Sequence, residues 1–274
     1  MRYGIYISNY VLDGDPRKFM KLAKEAEECN WDGFFMWDHI NPKPGFKDGV
    51  ADPWITLSGI AAVTERIRIG TTVTPLPRRR PQKVARETAS LDVLSNGRLI
   101  LGVGLGGPSD AEFECEDTSA RIRAEKLDES LDIITGLWSG EPFSFQGKHY
   151  TFDEVAFKPI PIQKPRIPIW CAGSWPLKKP FERAVKYEGV FPLGHRGDLE
   201  LSDYEEIGNF VKKHRTSKDP FDIVCMGVST GDSKKDSWID VCAEYGSTWY
   251  VEVIWKGKME DALNVVQRGP PRYS

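Results

Sequence analysis

The chain has 274 residues, 40% of them hydrophobic and 28% charged, which supports a sizeable core in one large domain or two small ones. A net charge of −3 and a pI near 5.9 exclude the basic surface that a nucleic-acid partner demands. No run approaches the ~18 apolar residues of a membrane span. The amino terminus enters a strand-like run directly, without a signal peptide's long apolar region, so a cytoplasmic protein with no membrane partner is expected.

The run 3–7 predicts the first strand. Pro16 suits a first helical position, and Phe19, Leu22, Ala23 and Ala26 share one face of a helix over 17–30. The apolar and aromatic run 33–37 predicts the second strand. The β-branched run 67–73 predicts the third, ended by Pro75 and Pro77. A helix over 82–94 follows, stopped by Asn96-Gly97. The fourth strand is 99–103. Leu127, Leu131, Ile134 and Trp138 then mark a long helix over 120–138. Alternating aromatics around Gln146-Gly147 predict a hairpin inside an inserted segment, 140–165, whose tail is Pro-rich. Strands five to eight fall at 167–171, 189–193, 223–228 and 248–253. Helices separate them, near 177–187, around Tyr204, Ile207 and Val211, and around Trp238, Val241, Cys242 and Tyr245. This alternation predicts an α/β fold, a (β/α)8 TIM barrel with an insertion between strands four and five, all in one domain over 1–274.

The five cysteines (Cys29, Cys115, Cys171, Cys225 and Cys242) never form a Cys-x-x-Cys pair, so reduced thiols are expected. With four scattered histidines, no metal-ligand pattern emerges.

The second strand runs out into Asp38-His39. Carboxyl ends of strands are where α/β proteins bind ligands, and imidazole can donate, accept or carry a proton near neutrality. The plain alternative is a structural histidine, with Asp38 capping the next turn. Gly102-Val103-Gly104-Leu105-Gly106-Gly107 formally fits Gly-x-Gly-x-x-Gly, the dinucleotide fingerprint. Pro108-Ser109-Asp110 follows with no immediate helix, and the run lies in the fourth unit, which points to a different ligand loop. Ala172-Gly173-Ser174-Trp175 can hold a phosphate through amides and a hydroxyl, or is a simple βα turn. The hydroxyls of Thr72-Val73-Thr74 sit near the level of His39, or reflect only β-propensity. Gly194-His195-Arg196 contacts a ligand tail or substrate, or is a solvated loop. Arg78-Arg79-Arg80 and Lys178-Lys179 read as solvated faces, and Glu87, Asp92 and Arg98 as one structural ion-pair group.

The runs 31–39, 68–81, 94–104 and 169–174 together resemble the bacterial luciferase-like flavin-dependent oxidoreductases and monooxygenases, along essentially the whole chain. The resemblance implies a flavin-type ring, FMN or the deazaflavin coenzyme F420, across the top of a barrel. It implies His39 beside that ring as catalytic donor or proton carrier, with Asp38 at its side. A non-proline cis peptide at Thr72-Val73 or Val73-Thr74 would face the ring. Gly104, Gly106, Gly107, Ala172, Gly173, Ser174 and Trp175 would serve the ribityl and phosphate portions. Trp37, His195 and Arg196 would meet the substrate, with Trp37 and Trp175 as apolar walls. Leu105 stands where relatives can place a charged or polar residue, and 112–117 is slightly shorter than in similar sequences.

The expected activity is hydride transfer or oxygenation on a small organic substrate. With FMN, a partner flavin reductase would supply the reduced cofactor. A homodimer is usual in the resembling family. The alternatives are a non-catalytic flavin-binding accessory subunit and an NAD-dependent dehydrogenase.

Overall fold

The computed structural model describes residues 1–42, 45–107, 119–195 and 197–272. The chain runs β1 (Arg2–Ile7), α1 (Pro16–Glu28), β2 (Gly33–Met36), α2 (Pro53–Val63), β3 (Arg68–Pro75), α3 (Pro81–Leu94), β4 (Leu99–Gly104) and α4 (Ala120–Trp138). It continues through β5 (Phe143–Gln146), β6 (Thr151–Val155), β7 (Ile169–Trp175), α5 (Lys178–Ala184), β8 (Gly189–Gly194), α6 (Leu201–His214), β9 (Asp222–Gly227), α7 (Trp238–Glu244), β10 (Trp249–Ile254) and α8 (Met259–Gln267). Eight parallel strands close into a barrel in the order β1-β10-β9-β8-β7-β4-β3-β2. The fold is therefore the expected TIM barrel. Its closure contradicts the doubly wound sheet that the NAD-dehydrogenase alternative requires.

Period-two alternation sorts each strand's side chains between the barrel interior and the helices. Inside, the rings of Phe35 and Trp170 lie 5.1 Å apart, and each lies 5.4 Å from Trp249, so three fully buried aromatics plug the barrel. Toward the carboxyl ends Tyr6 packs on Phe191 at 5.2 Å and on Trp37 at 5.3 Å. Outside, Phe19 and Leu22 of α1, Leu57 and Ile60 of α2, and Leu131 and Ile134 of α4 are buried against the strands. Asp15 and Asp52 cap α1 and α2 by accepting from the amides of Arg17 and Ile55 at 3.0 and 2.9 Å.

The predicted hairpin forms from β5 and β6, which pair antiparallel. Phe143, Phe145 and Phe152 pack together there, and Glu129 of α4 accepts from the amides of Lys148, His149 and Tyr150.

Two sequence expectations need correction here. Glu87, Asp92 and Arg98 do not form one ion-pair group. Glu87 pairs with Arg79 and Lys83, and Asp92 accepts from the amides of Ile162 and Gln163. Arg98 donates to the carbonyls of Ala61, Thr64 and Ile67. Nor is Arg78 solvated: its side chain is 3% exposed.

Candidate functional site

Two sets of hydrogen bonds fix the stretch that follows β2. The amide of Trp37 still donates to Ile7 at 2.9 Å, so the chain leaves the barrel wall only at Asp38. The Asp38 carboxylate is fully engaged. Thr74 donates its hydroxyl at 2.7 Å, Trp54 its indole N–H at 3.2 Å, and Arg78 its Nη2 at 2.7 Å. Arg78 also reaches the Asp38 carbonyl at 2.5 Å, and Arg79 lies 3.5 Å from the carboxylate. Asp38 therefore reaches the cavity wall with its carboxylate engaged by Thr74, Trp54 and Arg78, an arrangement that anchors the strand end. The same bond corrects Thr74: its hydroxyl is spent on Asp38 and Thr71 rather than facing a cofactor.

Asn9, fully buried just after β1, holds the next residue. Its Nδ2 donates to the carbonyls of His39 and Ala51, both at 2.8 Å, and its Oδ1 accepts from the His39 amide at 3.3 Å. The His39 backbone is thus gripped on both its N–H and its C=O. The imidazole lies 5.7 Å from the Trp37 ring and 6.0 Å from the Tyr10 ring.

Above the aromatic plug, a cavity of about 610 Å³ opens at the carboxyl ends of the strands. Trp37 and His39 form one wall, with Tyr6, Phe191 and Leu193 beside them. Thr72 and Val73 form the next, and the Thr72–Val73 peptide is cis, at the first of the two expected positions. Gly104, Gly106 and Gly107 follow after β4, and Ala172, Gly173 and Ser174 at the end of β7. His195 also reaches the cavity, whereas Arg196 and the segment 112–117 lie outside the described residues.

Trp175 does not reach it. Its ring packs edge-on against Phe181 at 4.8 Å, its N–H donates to Glu206 at 3.1 Å, and Lys178 lies over it at 3.5 Å. Strand alternation explains this: Ser174 faces the cavity, so its neighbour turns to the helices.

Sequence reasoning missed Asn9 and two arginines of the cavity wall. Arg123 of α4 is buried and donates to the Gly107 carbonyl at 2.9 Å. Arg183 of α5 binds Asp128, with Nε 2.5 Å from the carboxylate. Both are basic residues on the inner faces of helices, one turn from Leu127 and beside Phe181. That placement is the available signal, because an arginine on an apolar face needs a partner. A second cavity of about 530 Å³ near the amino-terminal face is lined by Arg166, Glu188 and Arg215; Arg166 pairs with Glu188 at 2.8 Å, and Arg215 donates to the carbonyls of Val185 and Tyr187.

The main cavity has the chemistry of a flat ring with an anionic tail. A Cβ on Gly104 would sit 2.8 Å from a Val73 methyl, and one on Gly173 only 2.4 Å from Pro180, so these glycines let Val73 and α5 pack closely against β4 and β7 beside the cavity. Gly106 has φ +74°, which favours glycine. The buried Thr72 hydroxyl has no hydrogen-bond partner among the described residues. Ser174, Arg123 and Arg183 also line the cavity and bring it a hydroxyl and two guanidinium groups, of which Arg183 is paired with Asp128. These features fit a flavin-type cofactor.

The sequence profile of the luciferase-like monooxygenases matches residues 1–239. An F420-dependent glucose-6-phosphate dehydrogenase of Microbacterium testaceum is 34% identical over 165 residues, 59% of this chain and 48% of that protein. The oxygenase component of a flavin-dependent trigonelline monooxygenase from Acinetobacter baylyi is 28% identical over 210 residues, 73% of this chain and 57% of its own. The chain spans about half the length of these curated relatives. A monooxygenase structure from Streptomyces bottropensis superposes with a TM-score of 0.80 at 17% identity, over 97% of both chains.

Proposed function

Because the chain belongs to the luciferase-like monooxygenase family, we propose that it is an oxidoreductase or monooxygenase using coenzyme F420 or FMN on a small organic substrate. The observation that carries this reading is one cavity lined by His39, by the glycines after β4 and on β7, and by Arg123 and Arg183. When bound, F420 supplies a hydride carrier, and reduced FMN can also react with oxygen.

The chain's own residues do the rest. Gly104, Gly106, Gly107, Ala172 and Gly173 let backbone approach the cofactor. Thr72 offers its hydroxyl, and Ser174, Arg123 and Arg183 take the tail's negative charge. Val73 and the aromatic walls exclude water. His39, held by Asn9 and preceded by the anchored Asp38, donates or accepts the proton at the substrate. Trp37 and His195 contact the substrate.

With FMN, a separate flavin reductase supplies the reduced cofactor, in line with the oxygenase-component relative. The enzyme is read as one barrel domain and a cytoplasmic homodimer. Among the described residues no helix is long and apolar enough to cross a membrane, and the four described cysteines are free. Ile55 and Val63 on α2 and Leu94 on α3 are exposed apolar residues on neighbouring helices, which suits a partner copy.

Parallel anaerobic titration with FMN and with F420 tests the reading. Tight binding of one, with turnover falling about 10²–10⁴-fold in His39→Asn while cofactor affinity holds, is the expected result. Binding of neither makes an accessory subunit the better description, and unchanged turnover in His39→Asn ends the role of that residue.

A further inference from the structure

The amino ends of the barrel strands form a second polar mouth. Arg2 opens β1, Asp32 directly precedes β2, and Arg68 opens β3. Backbone bonds set the three side by side. The Arg68 amide donates to the Asp32 carbonyl at 2.9 Å, and the Tyr3 amide donates to the Asp32 carboxylate at 2.8 Å. The Arg2 guanidinium lies 4.5 Å over the Trp249 ring, so the aromatic plug stands between this mouth and the main cavity. A cavity of about 390 Å³ opens here. Its walls carry four guanidinium groups, those of Arg2, Arg66, Arg68 and Arg272, and the carboxylates of Glu27 and Asp32.

Two of these arginines hold a carboxylate and two do not. Arg2 pairs with Asp222 at 2.6 Å, and Arg272 with Asp32 at 2.7 Å. Glu27 spends its carboxylate on backbone, accepting from the amides of Glu65, Arg66 and Ile67. The Arg66 guanidinium donates to the Glu27 carbonyl at 3.1 Å. The Arg68 guanidinium reaches only neutral acceptors: the Gly97 and Leu99 carbonyls at 3.5 and 3.3 Å and the Gln163 side chain at 3.0 Å. The first two bonds are long, and its buried Nε has no hydrogen-bond partner among the described residues. Burial, and then the positive charge of Arg2, lowers the pKa of Arg68, as expected of a cation short of negative charge.

Guanidinium forks donate paired N–H groups to carboxylates and phosphates. One carboxylate fills one fork, whereas a tetrahedral phosphate can accept from two. The cavity also exceeds the size of a bare oxyanion and has room for a short organic body. We infer that the amino-terminal mouth is an anion site, which takes a phosphate group, free or in a small monoester, between Arg66 and Arg68, with Arg2 and Arg272 beside it. The site lies on the opposite face of the barrel from the cavity assigned to the cofactor and does not depend on that assignment.

The test is calorimetric titration of the full chain with inorganic phosphate and with glycerol 3-phosphate. Both bind saturably, and the tighter of the two identifies the source as free phosphate or an ester. Sodium chloride at matched ionic strength does not displace them. Arg66→Gln and Arg272→Gln change exposed side chains, and circular dichroism without phosphate checks that both variants fold. Each weakens phosphate about tenfold, the loss expected of one charged hydrogen-bonding group. Ser174→Ala, a change in the main cavity, leaves this binding in place. Affinity untouched by both arginine substitutions, binding lost in Ser174→Ala, or displacement by chloride would overturn the inference. Failure to bind FMN or F420 would remove the cofactor reading alone and leave this one standing.

Discussion

Asp38 and Arg78 meet at 2.7 Å with both side chains only 3% exposed, directly before the histidine that the sequence singles out. A buried carboxylate is retained only where charge and hydrogen bonds replace its lost water, and Thr74, Trp54 and Arg78 do so here. Asp38→Ala would leave a guanidinium buried and uncompensated, at a cost of about 3–5 kcal/mol. The double variant Asp38→Ala with Arg78→Met recovers much of that loss. Urea unfolding of both variants checks this. Equal destabilisation of single and double variants would mean that the pair contributes by packing alone.

Asn9 acts on the same histidine from the end of the neighbouring strand, β1. Asn9→Ala removes the bonds to the His39 amide and carbonyl and to the Ala51 carbonyl, leaving buried groups unpaired. The expected loss is about 2–3 kcal/mol of stability. Turnover falls by about 10²-fold, because small displacements of a reacting group are costly. Cofactor affinity stays near the parent value, since Asn9 does not line the cavity. Asn9→Asp keeps the acceptor for the His39 amide and returns part of the turnover. A fall in cofactor affinity that matches the fall in turnover would point to general unfolding of the mouth instead.

The barrel strands were legible because each is a short apolar run between turn residues, and the structure moves their ends by only a few residues. The run predicted at 67–73 forms at Arg68–Pro75, and the run at 167–171 forms at Ile169–Trp175. Helix α2 is not singled out by periodicity, because Pro53–Val63 is apolar on nearly every side and has no polar face to set against a buried one. The site was legible wherever a strand end carried unusual chemistry, as at His39, Thr72 and Gly104. It was illegible where the strand ends at the cavity are held by side chains distant in sequence. Asn9 lies 30 residues from His39, and Arg78 lies 40 from Asp38, and no local pattern joins them. Trp175 misled because its position in the run suggests exposure to the ligand, whereas alternation along β7 turns it outward.

Gly102 belongs to the glycine run, yet its reason differs from that of Gly104. A Cβ there would lie 2.1 Å from the carbonyl oxygen of Thr71, a backbone atom that cannot swing aside. The glycine permits close approach of β3 and β4 at the point where their register shifts between Thr71 and Thr74. Gly102→Ala is expected to cost about 3 kcal/mol or prevent folding. The measurement is the thermal midpoint and soluble yield. A stable Gly102→Ala protein that had lost only its cofactor would reassign this glycine to the ligand.

The hairpin supplies a pH dependence whose sign can be worked out. Hydrogen bonds from Lys148, then from His149 and Arg121, hold the Glu125 carboxyl down at about 2, below its usual value of 4.5. A carboxyl lowered on folding stabilises the folded form once ionised, so its contribution is fully present above pH 4.5 and fades as the pH falls toward 2. Protonation would release Lys148 and His149 from α4 and loosen the turn between β5 and β6. Hydrogen exchange of the hairpin amides should quicken, relative to the barrel strands and to the intrinsic rate, over that window. In Glu125→Gln the hairpin should already exchange faster at neutral pH and show no further step. A step of the same size in Glu125→Gln would move the effect to Glu129, which binds the hairpin through backbone amides instead.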